Sequence, residues 1–232
     1  MTISSVRHSR ATVIDLHLDS ASSLAAALAR VNAACDQAED AGPGGLLLLH
    51  LDAVHGGAGE YALQDADTQL VTKWERAMQR LESLPLPVLA TVDGNAGGLL
   101  LDVLLTADHR IATPDTRLTM PRSAGTIWPG MAIHRLANQL GAARVRALVL
   151  FGVALDAAAA QALGLVDEVS PEPDANVERF IATLDQQALA DLALRRRLLL
   201  EASAVTNEAA TGVHLAACDR TLRRQLPAAV AA

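Results

Sequence analysis

Asp102 stands three residues after Leu99, just inside an apolar segment that is entered through Gly97 and Gly98. On a helix that spacing puts the Leu99 amide and the Asp102 carboxylate on one face. The first N–H groups of a helix lack internal partners and sit at the positive end of its dipole, so an amide there can hold developing negative charge. A carboxylate beside such a donor suits proton transfer on an acyl group whose carbonyl oxygen becomes negative during reaction. Another reading of the same residues stays open: an acid in a helix's first turn complements the dipole, and glycine-entered apolar helices are common in α/β cores.

The elements that must position these residues follow from the pattern around them. Val88, Leu89, Ala90 and Val92 read as a buried strand stopped by Asp93-Gly94, and the helix runs over 99–106, with Asp102 in its first turn. Upstream, Ile14, Leu16 and Leu18 alternate with Asp15 and His17 as a strand, followed by a helix from Ser22 or Ser23 to 41 that stops at Gly42. A second strand over 46–51 leads into the glycine-rich segment 55–59 and a helix over 65–83. Downstream come strands over 110–113 and 117–120, helices over 133–140, 143–151 and 157–163, a strand over 165–169, and helix from 174 to Pro227. Strands alternating with helices imply parallel pairing with right-handed crossovers, hence an α/β fold.

Composition bounds the function. A chain of 232 residues, 51% hydrophobic, suffices for one domain with a sizeable core and a helical appendage. A net charge of −7 with only 2% aromatic residues argues against a nucleic-acid partner. Arg195, Arg196 and Arg197 read as a solvated helix face. Cys35 and Cys218 lie too far apart for a metal motif or a disulfide framework. No segment is long and apolar enough for a membrane span, and the first ten residues carry no targeting pattern, so a cytoplasmic protein is expected.

The ordered set formed by segments 87–108, 108–121 (Asp-His-Arg-Ile-Ala-Thr-Pro through Met-Pro), 128–136 (Trp-Pro-Gly through Arg-Leu) and 162–169 resembles the enoyl-CoA hydratase/isomerase family, the crotonase superfamily. The resemblance implies a crotonase-like spiral of ββα units over 1–172 and a helical C-terminal region over 173–232. It further implies a homotrimer or hexamer, an acyl-CoA thioester as substrate, and no cofactor or metal beyond the CoA that the substrate itself carries.

By that resemblance two backbone N–H groups grip the thioester oxygen. Gly98, Leu99 and Leu100 fall on the family's glycine triplet, with Leu99 carrying one donor. The other comes from the 57–61 loop, through Glu60 in one register and through Ala58 or Gly59 in shifted ones, and a turn with no ligand is an equal reading. Asp102 falls on one of the two catalytic glutamates of the hydratases, while Arg122 stands where the second is expected after Met120-Pro121. One base, an oxyanion site and a cation fit dehydration, isomerisation or enolisation better than hydration by two carboxylates. Arg122 could favour the ionised form of Asp102, bind an acidic or phenolic substrate group, or form a surface ion pair. Trp128 walls the acyl pocket or joins the core; His55 could touch substrate; Tyr61 and Ser123 offer polar contacts; His134 reads as structural. The Asp102/Arg122 pair and the Trp-Pro-Gly turn resemble the subgroup of bacterial dihydroxyphenylglycine biosynthesis, which implies a polyketide synthase partner. A non-catalytic subunit that stimulates a partner enzyme is the competing class, and a serine protease lacks its nucleophile at the helix entry.

Overall fold

A computed structural model describes residues 5–8, 11–53, 66–184, 186–202 and 205–225. Strand β1 (Ser5–His8) pairs antiparallel with β2 (Ala11–Asp19), a short hairpin absent from the sequence reading. Helix α1 (Leu24–Ala41) starts at Ser23, whose hydroxyl accepts from the Ala26 N–H at 3.3 Å. It returns the chain to β3 (Gly45–Asp52), parallel to β2.

Helix α2 (Thr68–Glu82) is capped by Asp67, and β4 (Val88–Asp93) then lies parallel to β3. The short β5 (Asn95–Ala96) leads into α3 (Gly98–Leu104), every residue of which is buried. Next come β6 (His109–Ala112), β7 (Arg117–Leu118), and the hairpin of β8 (Arg122–Ser123) with β9 (Thr126–Ile127). Helices α4 (Ala132–Leu140) and α5 (Ala142–Phe151) follow, then β10 (Leu155–Asp156), α6 (Ala157–Leu163) and β11 (Glu168–Val169). The rest is helical: α7 (Pro173–Ala182), α8 (Gln186–Glu201) and α9 (Asn207–Gln225).

The main sheet runs β1-β2-β3-β4-β6-β11, parallel from β2 onward, beside a smaller sheet β10-β7-β5. Both faces of the main sheet are covered, which is why 46–51 reads as an unbroken run of leucines and one histidine rather than an alternation. Leu47, Leu49 and Leu51 join α1, α2 and α3 in the larger core, while Leu46 and Leu48 pack with Val177 and Ile181 of α7.

Three expectations change. The strand over 165–169 contracts to β11, because Leu165 and Val166 are buried in the turn after α6 instead of pairing. Asp102 lies beyond the first turn of α3, since the helix starts at Gly98, so complementing the dipole is not its role. The arginine run is not a uniformly solvated face. Arg195 and Arg197 are exposed, but Arg196 is 7% exposed and drives its guanidinium into the core. There Nε donates to Asp108 Oδ1 and Oδ2 at 2.8 and 2.6 Å, and Nη1 donates to the carbonyls of Glu82 and Leu84 at 2.7 and 2.9 Å.

Candidate active site

The site forms where β4 ends. Gly94 has φ +73°, and a Cβ there would stand 2.3 Å from the Ala53 carbonyl oxygen, so only glycine lets the chain cross the end of β3 so closely. Asp93 closes the turn, its Oδ1 accepting from the Gly94 N–H at 2.9 Å and from the Thr113 hydroxyl at 2.5 Å. Gly97, extended, caps α3, and Gly98 opens it at φ +53°. The Leu100 and Leu101 amides donate to the Gly97 carbonyl at 3.1 and 3.4 Å. Among the described residues the Leu99 amide donates no hydrogen bond, which keeps it available for an oxyanion.

Three residues on, Asp102 is 1% exposed, and its Oδ2 accepts from Trp74 Nε1 at 3.1 Å. Trp74, also 1% exposed, is the neighbour that the sequence reading missed. Its only sequence signal is a single aromatic residue on the apolar face of α2, which the core alone would explain. The contact bridges residues 28 apart on two helices, both on the same face of the sheet.

Helix α2 is held from both sides. Arg80 bonds Glu39 and Asp36 of α1. Arg135 of α4, 5% exposed, reaches Glu82 at 2.7 Å and Glu75, next to Trp74, at 3.1 Å. Burial disfavours the Arg135 charge, but its bonds and charge contacts with the two glutamates outweigh that and hold the guanidinium firmly protonated. The C-terminal end of α3 is closed by Arg110, which donates to the carbonyls of Leu105, Ala107 and Leu165 and to Gln139.

The remaining sequence candidates do not all converge. Arg122 folds back on its own hairpin, Nη2 donating to the Gly125 carbonyl. The turn it closes places Ala124 and Gly125 at positive φ. Trp128 is half-buried against the core; its amide donates to the Pro121 carbonyl at 2.7 Å, and its indole lies so close over Gly130 that a Cβ there would stand 2.7 Å from the ring. The Trp-Pro-Gly turn thus owes its glycine to the tryptophan. Ser123 sits on β8, and exposed His134 pairs through Nε2 with Asn138. The candidates His55, Ala58, Gly59, Glu60 and Tyr61 lie outside the described residues. Among the described residues no helix is long and apolar enough to cross a membrane.

Comparison with known proteins speaks to the family and the fold. Residues 55–226 match the Enoyl-CoA hydratase/isomerase family. A protein of Amycolatopsis orientalis named Enoyl-CoA-hydratase is 42% identical over 214 residues, covering 90% of this chain and 96% of the relative. Among solved structures, an enoyl-CoA hydratase from Shewanella pealeana aligns with a TM-score of 0.74 at 17% identity, covering 97% of this chain and 89% of its own. The Bacillus anthracis enoyl-CoA hydratase gives 0.73 at 21% identity, covering 96% and 92%. At those identities the two structures speak for the fold alone.

Proposed function

The chain belongs to the enoyl-CoA hydratase/isomerase family, and on that premise we propose that it acts on an acyl-CoA thioester through an enolate, as a dehydratase/hydratase or isomerase. The observation that carries this reading is the Leu99 amide at the mouth of α3, which donates no hydrogen bond among the described residues, with the Asp102 carboxylate one turn further on. Asp102 takes a proton from the carbon next to the thioester. The electron pair moves onto the carbonyl oxygen, where the Leu99 N–H holds it. Collapse of the enolate then expels the β-hydroxyl, which takes the proton held by Asp102 and leaves as water, completing a dehydration; alternatively Asp102 returns that proton at a further carbon, completing an isomerisation. Hydration, the activity in the name of the Amycolatopsis relative, is the reverse of the first route. Arg122, bonded to its own turn, is assigned no step.

The test is deuterium incorporation at the α-carbon of crotonyl-CoA, 3-hydroxybutyryl-CoA and phenylacetyl-CoA in D₂O, alongside product analysis. Wild type exchanges at least one of the three, and Asp102→Asn loses about two orders of magnitude or more, the scale of a general base. Unchanged exchange in Asp102→Asn removes the assigned base.

A second reading, a non-catalytic subunit that stimulates a partner enzyme, is favoured by one observation: Leu99 and Asp102 are only 3% and 1% exposed. On this second reading a partner opens the helix mouth to admit substrate. Stimulation of a partner that survives Asp102→Ala supports this reading, and turnover by the purified chain alone excludes it.

A further inference from the structure

We infer that Trp74 is a positioning residue for Asp102: its indole N–H fixes the carboxylate through Oδ2, and α2 is clamped so that this donor cannot drift. The inference rests on the reading of Asp102 as the acid/base.

A carboxylate removed from water needs hydrogen-bond donors, and a buried indole needs an acceptor for its N–H. The Trp74–Asp102 bond of 3.1 Å meets both needs at once. A neutral donor to a charged acceptor gives a stronger bond than a neutral pair, without the desolvation cost of a second buried charge. Tryptophan also has only two side-chain torsions, so the donor is stiff where a lysine would be loose.

Stiffness in the side chain is useful only if the helix beneath it is fixed. The residue after Trp74 is Glu75, held by Arg135 of α4, which also grips Glu82 at the end of α2. On the α1 side, Arg80 is tied to Asp36 and Glu39. Trp74, Ala77, Met78 and Leu81 form the buried stripe between these two tethers. Asp102 therefore receives its donor from a rigid neighbouring helix while its own backbone belongs to the helix that carries the Leu99 amide. The relative placement of oxyanion donor and base is thereby set by the packing of α2 on α3, without a second carboxylate at the Arg122 position.

The chain has two tryptophans, Trp74 and Trp128, so the indole N–H region of a proton–nitrogen correlation spectrum holds two signals, and Trp128→Phe assigns them. The Trp74 signal is expected downfield and slow to exchange with solvent. Asp102→Asn, which keeps an acceptor but removes the charge, is expected to move it upfield and leave the Trp128 signal in place. In the exchange assay, with whichever of the three thioesters wild type exchanges fastest, Trp74→Phe is expected to lower kcat on the order of tenfold with KM changed less than about twofold, the pattern of a misplaced reacting group. On the Asp102→Asn background the same substitution is expected to add no further loss. A Trp74 signal indifferent to Asp102→Asn, or equal losses from Trp74→Phe with and without Asp102, overturns the inference. Full exchange in Trp74→Phe with none in Asp102→Asn overturns it alone and leaves the base in place; full exchange in Asp102→Asn overturns both.

Discussion

Replacing Arg196 with alanine withdraws a side chain that ties α8 to the turn after α2 and to the start of β6. Four hydrogen bonds disappear: two to Asp108, at 2.8 and 2.6 Å, and two to the carbonyls of Glu82 and Leu84, at 2.7 and 2.9 Å. Breaking a buried ion pair from one side costs about 3–5 kcal/mol. Asp108 keeps 30% of its side chain in solvent, which places the expected cost near the lower end, about 3 kcal/mol. For a domain of this size that corresponds to a fall in Tm of about 6–12 °C. The loss also depends on pH. Burial pushes the Asp108 carboxyl above its usual range, and the Arg196 charge and the Val88 N–H pull it back. A group whose folded value is raised costs stability above that value, and the cost fades as pH falls through it. Without Arg196 the burial is less opposed, so the gap between variant and wild type is expected to be widest near neutral pH and to narrow toward about pH 4. Scanning calorimetry across that range reads both effects, with Arg195→Ala and Arg197→Ala, both at exposed positions, as controls expected within about 0.5 kcal/mol of wild type. An Arg196→Ala variant that melts within 2 °C of wild type at pH 7, equivalent to at most about 1 kcal/mol, refutes the claim that this contact docks the C-terminal helices.

Gly94→Ala forces a side chain into left-handed backbone and to 2.3 Å from the Ala53 carbonyl, so a loss of about 2 kcal/mol or more is expected in denaturant unfolding, and wild-type stability would contradict the close crossing of β3 and β4. Burial raises the Cys35 thiol to about 11 while Cys218 is exposed, so a chromogenic disulfide reagent at about pH 8 is expected to titrate one thiol per native chain and two after unfolding. Two reactive thiols in the native protein would contradict the packing of α1. The exposed apolar side chains of Leu150, Phe151, Val153, Leu199, Leu215 and Leu222 lead us to expect self-association: light scattering should give about 73 kDa, three times the 24.3 kDa chain, or twice that trimer mass, and a monomer would contradict it.

What the sequence makes legible is what local chemistry decides. Ser22 or Ser23 announces a helix start, and Ser23 takes the role because its hydroxyl accepts the Ala26 amide, while Gly42 announces the end because it adopts positive φ. The Gly97-Gly98 entry and the Leu99–Asp102 spacing are legible for the same reason. Contacts between distant segments are not. Nothing in three consecutive arginines says that the middle one turns inward, since that depends on carbonyls more than a hundred residues away. Trp74 reads as core because its apolar ring is core; only the position of α3 reveals what its N–H meets. The position of Arg122 after Met120-Pro121 is legible, but the hydrogen bond of its guanidinium to the Gly125 carbonyl depends on how the β8–β9 turn closes.

On the proposed reading the mouth of α3 holds the thioester oxygen while Asp102 faces the adjacent carbon. A crystal structure of the Asp102→Asn protein with phenylacetyl-CoA tests it most directly. The expected result is a thioester oxygen about 2.7–3.2 Å from the Leu99 nitrogen, with residue 102 turned toward the α-carbon. An oxygen bound elsewhere, with the Leu99 amide bonded only to protein, would contradict it.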